Sequence, residues 1–281
     1  MYEESIKSNY QINCDNKQKN PRLQSETVDF FHPCKLINFA LELDNTKKDE
    51  INNMIILHIE TSTNVCSIAL SNNETCILSK SNADGMNHAA LLSVFIAEAL
   101  EVLKTAGKKL DAVAVSSGPG SYTGLRIGVS TAKGLCYGLE IPLIAVSTLE
   151  ILTAQALNKI EDKENALFCP MIDARRMEVY AAFYDATGKI KREISADIIT
   201  SDSFTELLAN QPVYFFGNGS EKCKSTLTHT NTRFIDDMFP LAENMIQFAN
   251  KAFEEKKFVD VAYFEPFYLK EFQTTTPKKI S

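Results

Sequence analysis

Histidine is scarce in this sequence, and the four that occur are scattered. They stand at positions 32, 58, 88 and 229, and no two of them have the HxxxH or HExxH spacing that places metal ligands on one helical face. The seven cysteines contain no CxxC pair, which disfavours a zinc site. We therefore expect this chain to hold no metal ion, and the pattern argues against a zinc protease.

Other patterns are missing as well. The sequence has no GxxxxGK[ST] motif and no GxSxG motif, so neither a P-loop nor a serine-hydrolase nucleophile is predicted. No apolar run reaches the ~18 residues of a membrane-spanning helix. Without a signal peptide, an odd number of cysteines favours free, buried thiols, and we expect a cytoplasmic location. The formal net charge of −7 disfavours a surface that grips nucleic acid alone.

The most informative segment that is present runs from Ser116 to Leu139. An apolar run at 110–115 predicts a buried strand, and Gly118-Pro119-Gly120 interrupts it. Ser121 or Thr123 then caps a predicted helix that continues to Ile141-Pro142. A strand therefore leads through a glycine turn into a helix.

Small residues repeat every four positions along this helix, at Gly120, Gly124, Gly128 and Ala132. They form one bare stripe. Each interior glycine costs a helix about 1 kcal/mol relative to alanine, so a stripe needs a structural reason. We interpret it as the close approach of another backbone. A phosphate site at the start of the helix is the less favoured alternative.

The composition divides the chain into three regions. Residues 1–53 are dominated by Asn, Lys, Gln, Asp and Glu, and we expect poor order there, with Met54 as the natural start. Residues 54–160 contain a predicted meander of strands and a long helix, and they form the predicted N-terminal lobe. Residues 161–281 form the C-terminal lobe, whose predicted helix at 244–255 packs back towards the first.

The helix predicted from His88 to Gly107 is more apolar than one contact surface requires. Its apolar arc spans roughly 220°, whereas covering a sheet needs about 100°. One face suits the helix's own sheet and the other suits a neighbouring molecule, although burial by a later part of the same chain is the alternative. The residues assigned to the second face are Leu91, Leu92, Phe95, Ala99 and Val102.

Four charged residues lie together in the segment MIDARRMEVY: Asp173, Arg175, Arg176 and Glu178. They suit either a catalytic cluster or the tip of a hairpin that an ion pair stabilises. The hairpin tip is the favoured interpretation, because such exposed pairs are common and contribute only about 0 to 1 kcal/mol.

Four segments together resemble the bacterial TsaB (YeaZ) family. They are IETSTNVCSIAL at 59–70, NHAALL at 87–92, SSGPGSYTGLRIGVSTAKGL at 116–135 and MIDARRMEVY at 171–180. The resemblance implies a two-lobed α/β fold of the sugar kinase, Hsp70 and actin type, which is ribonuclease H-like with mixed sheets and flanking helices. It also implies a non-catalytic subunit in the synthesis of N6-threonylcarbamoyladenosine at position 37 of tRNAs that read ANN codons.

The resemblance further implies the partners. The family pairs with the catalytic paralogue TsaD, the ATPase TsaE joins the complex, and tRNA binds only through that complex. Thr148 and Leu152 stand where a TsaD-like chain has its HxxxH metal pair. ATP and a metal ion are therefore expected in the partner subunits and no cofactor in this chain alone. Without TsaD, a homodimer is expected.

The resemblance places the partner interface on the helix from His88 and the helix from Ser121. Its residues are Leu91, Leu92, Phe95, Ala99, Val102, Gly124, Ile127, Gly128, Thr131 and Ala132. Thr61, Ser62, Gly118 and Gly120 are the positions of degenerate nucleotide contacts. The alternatives are a glycoprotease-type metallopeptidase and a degenerate small-molecule kinase of the same superfamily.

Overall fold

The computed structural model describes residues 53–83, 87–161 and 163–269. The expected poor order of residues 1–53 thus lies outside the described residues, except for Asn53. The described chain contains two five-stranded mixed sheets. Sheet 1 consists of β1 (Ile55–Glu60), β2 (Cys66–Asn72), β3 (Thr75–Asn82), β4 (Ala112–Gly118) and β5 (Leu143–Ser147), in the order β3-β2-β1-β4-β5.

Sheet 1 begins with the predicted antiparallel meander of β1, β2 and β3, and β4 and β5 then run parallel to β1. Helices α1 (His88–Thr105) and α2 (Tyr122–Leu139) cover one face of this sheet. Ser121 is the N-cap of α2, and its hydroxyl accepts a hydrogen bond from Gly124 N at 3.3 Å. The strand, turn and helix predicted here are confirmed.

Sheet 2 repeats the pattern of sheet 1. Its first three strands form an antiparallel meander. The last two strands lie beside the first strand of that meander and run parallel to it. The strands are β6 (Leu167–Asp173), β7 (Glu178–Asp185), β8 (Ile190–Ile198), β9 (Val213–Phe216) and β10 (Thr232–Ile235), in the order β10-β9-β6-β7-β8. Asp185 to Gly188 forms the turn between β7 and β8, with a hydrogen bond from Gly188 N to Asp185 O.

Only short helices connect β8 to β9 and β9 to β10. They are α4 (Thr205–Leu208) and a 3₁₀ helix at Glu221–Cys223. The sequence patterns did not predict α4, β8 and β10. The strand β8 reads IKREISADI, and its charges hide the alternation that predicts a strand.

Each sheet is covered on its other face by the helix that follows the opposite sheet. Helix α3 (Thr148–Lys159) comes after sheet 1 but packs on sheet 2, where Leu149 and Leu152 meet Phe168. Helix α5 (Ile246–Glu254) comes after sheet 2 but packs on sheet 1 together with the 3₁₀ helix Ala242–Met245. The described part of the predicted C-terminal lobe thus contacts sheet 1 through α5.

The last described residues, 259–269, run along α2 towards its start. Val259 forms an isolated bridge with Leu143. Lys133 Nζ donates to the carbonyls of Ala262 and Phe264, each at 3.0 Å. The rings of Tyr268 and Tyr122 lie 4.9 Å apart, so an aromatic contact also holds this tail.

The described cysteines are free thiols. Cys66, Cys136, Cys169 and Cys223 are buried, as expected, whereas Cys76 on edge strand β3 is exposed. None of the helices in the described part of the chain is long and apolar enough to cross a membrane.

Candidate partner-binding helices and the turn beneath them

The turn that follows β1, Glu60–Thr63, holds α1 and α2 in place. Thr61 Oγ1 donates to Gly124 O at 2.8 Å, and Ser121 N donates to Ser62 O at 2.6 Å. On the other side, His88 Nε2 lies 2.8 Å from Thr63 O. Three consecutive residues, Thr61 to Thr63, therefore tie both helices to the carboxyl end of β1.

The glycine stripe of α2 faces this turn. A Cβ atom built on Gly120 would overlap Ser62 O, and one built on Gly124 would overlap Thr61 O. A Cβ on Gly128 would overlap Thr61 Oγ1. The predicted close approach of a backbone is confirmed, and that backbone belongs to the same chain.

Burial within the chain corrects the assignment of half of the residues predicted at the partner interface. Leu92 is 1% exposed, and Ala99 and Ala132 are 0% exposed. They fill the core between the helices and sheet 1, because the inner face of each helix is the one the sheet covers. Gly124 and Gly128 are buried against Thr61. These five residues lie inside the chain and cannot line an outer surface.

The other five assigned residues lie partly at the surface. Leu91, Phe95, Val102, Ile127 and Thr131 are all half-buried. On α1, the ring of Phe95 packs against the core and lies under Lys80 Nζ, 5.7 Å from the ring centroid. These five half-buried residues border the outward faces of the two helices, and their assignment to a partner interface stays a prediction.

The outward faces themselves carry residues that the sequence analysis did not assign. On α1 these are Ala90, Val94 and Ala97, and Val94 is 52% exposed. On α2 they are Ser130, Gly134 and Gly138. A Cβ built on either glycine would meet no atom within 4 Å. The signal was present in the sequence, since 130, 134 and 138 also lie four apart and form a second stripe.

The structure also revises the predicted nucleotide contacts. Thr61 and Ser62 are buried; the Thr61 hydroxyl donates to Gly124 O, and the Ser62 carbonyl accepts from Ser121 N. Gly118 has φ +104°, and a Cβ there would lie 2.8 Å from the carbonyl oxygen of Phe267 in the tail. Gly120 packs on Ser62. Chain packing therefore explains all four positions, and burial corrects the assignment of Thr61 and Ser62.

Two titratable side chains are fully buried on the far face of sheet 1. Burial raises the pKa of Glu60 to about 7, and the hydrogen bond that Ser62 N donates to Oε1 at 2.5 Å lowers it in part. Burial lowers the pKa of His58 to about 3, and its Nε2 lies 2.8 Å from Ser71 Oγ. Glu60 therefore favours the protonated form in acid, and His58 is neutral near pH 7.

Within residues 53–83, 87–161 and 163–269, no three His, Cys, Asp or Glu side chains are grouped so that they could hold a metal ion. Thr148 and Leu152 are buried in α3. The arrangement around the Glu60–Thr63 turn fixes two long helices on one sheet and leaves their outer faces open.

Two mixed sheets of the same strand order, each covered by the helix that follows the other, define an α/β protein of the sugar kinase, Hsp70 and actin class. This confirms the predicted fold class. A sequence profile described as "TsaD: tRNA N6-adenosine threonylcarbamoyltransferase" matches residues 82–277.

Individual relatives narrow the assignment. The tRNA threonylcarbamoyladenosine biosynthesis protein TsaB of Bacillus subtilis is 33% identical over 178 residues, 62% of this chain and 75% of that protein. TsaB of Escherichia coli is 31% identical, over 77% of this chain and 95% of that protein. The chain therefore belongs to the TsaD-like proteins that the profile describes and, among them, to the TsaB (YeaZ) family.

A solved structure agrees with this assignment. A Pseudomonas aeruginosa protein described as similar to the peptidase YeaZ matches with a TM-score of 0.65 and 27% identity. The match covers 77% of this chain and all of that one.

Proposed function

We propose that this chain is a non-catalytic scaffold and activator subunit in the formation of N6-threonylcarbamoyladenosine on tRNA. Family membership supports a role in this modification. In the finer proposal, the chain pairs with a TsaD-like paralogue, a TsaE-like ATPase joins them, and the modified base is at position 37 of tRNAs that read ANN codons.

The outer faces of α1 and α2 are the proposed pairing surface. The observation that carries this proposal is the open space over Gly134 and Gly138. A glycine inside a helix costs about 1 kcal/mol relative to alanine, and no contact within the described chain offsets it here. Small residues let two helices approach closely, so a helix of a partner subunit gives these glycines a role.

The apolar part of the same surface is Val94 and the small side chains beside it. Val94 is 52% exposed on α1, and Ala90 and Ala97 lie next to it on the helix. Half-buried Ile127 and Thr131 continue this surface on α2. A pair of helices from a related subunit would cover both stripes, and the same surface would form a homodimer when TsaD is absent.

The chemistry is proposed to reside in the partners. We expect ATP and a metal ion in the TsaD-like and TsaE-like subunits and no cofactor in this chain alone. The cytoplasmic location stays a prediction.

The experiment compares pairing by the wild-type chain with pairing by Gly134→Leu. A leucine at this open position adds bulk only on the outer face, so the fold is expected to persist while co-purification with the TsaD-like protein is lost. Gln247→Leu is the control, because it places the same exposed leucine side chain on α5, away from the proposed surface. Thermal unfolding checks that all three chains are folded.

Retained pairing by folded Gly134→Leu would contradict the proposed surface. Gly128→Leu is not a clean test, because its side chain would enter the space of Thr61 and destabilise the fold. Reconstitution with the TsaD-like and TsaE-like proteins, followed by measurement of the modified base in tRNA, tests the activator role directly.

A metallopeptidase is the second candidate, because the similar Pseudomonas protein is described by its likeness to a peptidase. Metal analysis and a peptide-cleavage assay of the purified chain separate the two proposals. A stoichiometric metal ion with cleavage would favour the peptidase. The degenerate small-molecule kinase is tested by calorimetric titration of the chain with ATP.

A further inference from the structure

The loop between β6 and β7 displays two adjacent arginines in an unusual backbone conformation. The hydrogen bonds from Ala174 N to Glu178 O and from Glu178 N to Arg175 O close a tight hairpin loop. Arg175 has φ +69° and Arg176 has φ +50°. Both residues therefore occupy the left-handed region, and both are exposed.

The turn itself does not explain this choice of residues. Two consecutive left-handed positions are typical of hairpin turns whose sequence is Asn-Gly or Asp-Gly, because these residues tolerate positive φ. Other residues pay roughly 1 to 2 kcal/mol per position for the same conformation. A strained pair of arginines, where smaller residues would fit better, indicates that the side chains have a separate use.

The neighbouring acid does not neutralise these arginines. Asp173 forms its ion pair with Lys222, which also donates to Glu178 O at 2.6 Å. From Arg175, Asp173 receives only the backbone N–H, at 3.2 Å. Across the described residues, neither guanidinium has a side-chain hydrogen bond or ion pair. The ion pair expected at the hairpin tip exists, but its cation is Lys222.

We infer that Arg175 and Arg176 form a contact site for backbone phosphates of RNA. This inference rests on the proposed function, in which the assembly binds tRNA. A guanidinium presents a planar set of donors that matches two oxygens of one phosphate, and two adjacent unpaired guanidinium groups can engage neighbouring phosphates.

The position of the hairpin favours RNA over the partner protein. The hairpin belongs to sheet 2, whereas the proposed pairing surface lies on α1 and α2, which cover sheet 1. With a formal net charge of −7, this chain would not hold RNA by these two contacts alone. The site therefore acts within the assembly, where it helps to position tRNA that other subunits also bind.

The test replaces the pair by the residues that suit the turn, Arg175→Asn with Arg176→Gly. This variant relieves the backbone strain, so its thermal stability is expected to equal or exceed that of the wild type. Within the assembled complex, its affinity for an unmodified tRNA transcript is expected to fall about tenfold. Each lost phosphate contact lowers the slope of log affinity against log salt by about 0.7 to 0.9, and the double variant loses two.

Lys108→Ala with Lys109→Ala is the control, because it also removes two adjacent positive charges from a loop. It should leave tRNA affinity and its salt dependence nearly unchanged. Unchanged tRNA binding by the arginine variant would overturn the inference. So would lost pairing with the TsaD-like protein, because the arginines would then bind protein. Absence of pairing by the wild-type chain would instead reject the proposed function.

Discussion

The two sheets have one strand order but different coverings. In sheet 1 the chain forms α1 between β3 and β4 and α2 between β4 and β5, each 18 residues long. At the corresponding places in sheet 2 it forms α4, of four residues, and a 3₁₀ helix of three. Aromatic side chains fill the space there, with Phe215 lying between Phe183, Phe204 and Phe234 at centroid distances of 5.7 to 6.5 Å.

The face of each sheet is thus covered in a different way. Phe215 and its neighbours complete a core within the chain and leave no long helix on its surface. The helices of sheet 1 complete a core with their inner faces and retain an outer face on which Val94, Gly134 and Gly138 are exposed. The proposed assembly surface therefore lies on the half that has the long helices.

Removal of the central aromatic ring of sheet 2 should have the largest effect. Phe215→Ala is expected to lower the free energy of unfolding by about 3 to 5 kcal/mol, because it leaves a cavity where no helix can move in. Denaturant unfolding measures this change. Phe258→Ala, at a 40% exposed ring, is the control and should cost much less. Equal costs for the two variants would show that the aromatic cluster is not what closes sheet 2.

A smaller effect is expected from Glu60 under sheet 1. Its pKa rises from 4.5 to about 7 on folding, so the folded state binds the proton more tightly. The resulting stabilisation is complete below pH 4.5 and is lost as the pH rises through 7, by up to about 3 kcal/mol. Glu60→Gln should remove this dependence, which unfolding measured from pH 4.5 to 8 would reveal.

His58 has the opposite dependence, because burial lowers its pKa and its stabilisation is lost as the pH falls from 6.5 towards 3. The difference between wild type and Glu60→Gln at each pH cancels most of this contribution. If that difference stays constant across the range, the carboxyl of Glu60 is not held in its protonated form.

The smallest effect should come from the outer face of α2. Gly134→Ala is expected to stabilise the isolated chain by about 0.5 to 1 kcal/mol, since alanine favours the helix and meets no neighbouring atom. The same methyl group should weaken pairing if a partner helix lies close. Differential thermal unfolding and a binding titration measure the two effects, and tighter pairing would place the partner elsewhere.

The strands and long helices of sheet 1 could be predicted because their signals are local. Continuous apolar runs mark β1 and β4, and Ser121 together with the Ile141-Pro142 stop marks the ends of α2. In sheet 2, β8 and β10 lacked such signals, since one is charged and the other has only four residues. Their places depend on pairing with β7 and β9, which no local pattern encodes.

The candidate site was predictable in kind but not in orientation. The spacing of Gly120, Gly124 and Gly128 correctly indicated close backbone contact. The sequence did not show that this contact is with Thr61 and Ser62, because 63 residues separate Thr61 from Gly124. A helical wheel shows which residues share a face of a helix, but not which face the sheet covers. Leu92 and Ala99 were therefore assigned to the outer face of α1, and Val94 was not.

The exchange of α3 and α5 between the two sheets bears on how the chain can be divided. A fragment ending after α3 would keep sheet 1 without the helix that shields its second face, and the remainder would keep α5 with nothing to rest on. Neither fragment could bury its apolar surface alone. We therefore expect the two sheets to unfold as one cooperative unit, even though they repeat one strand order.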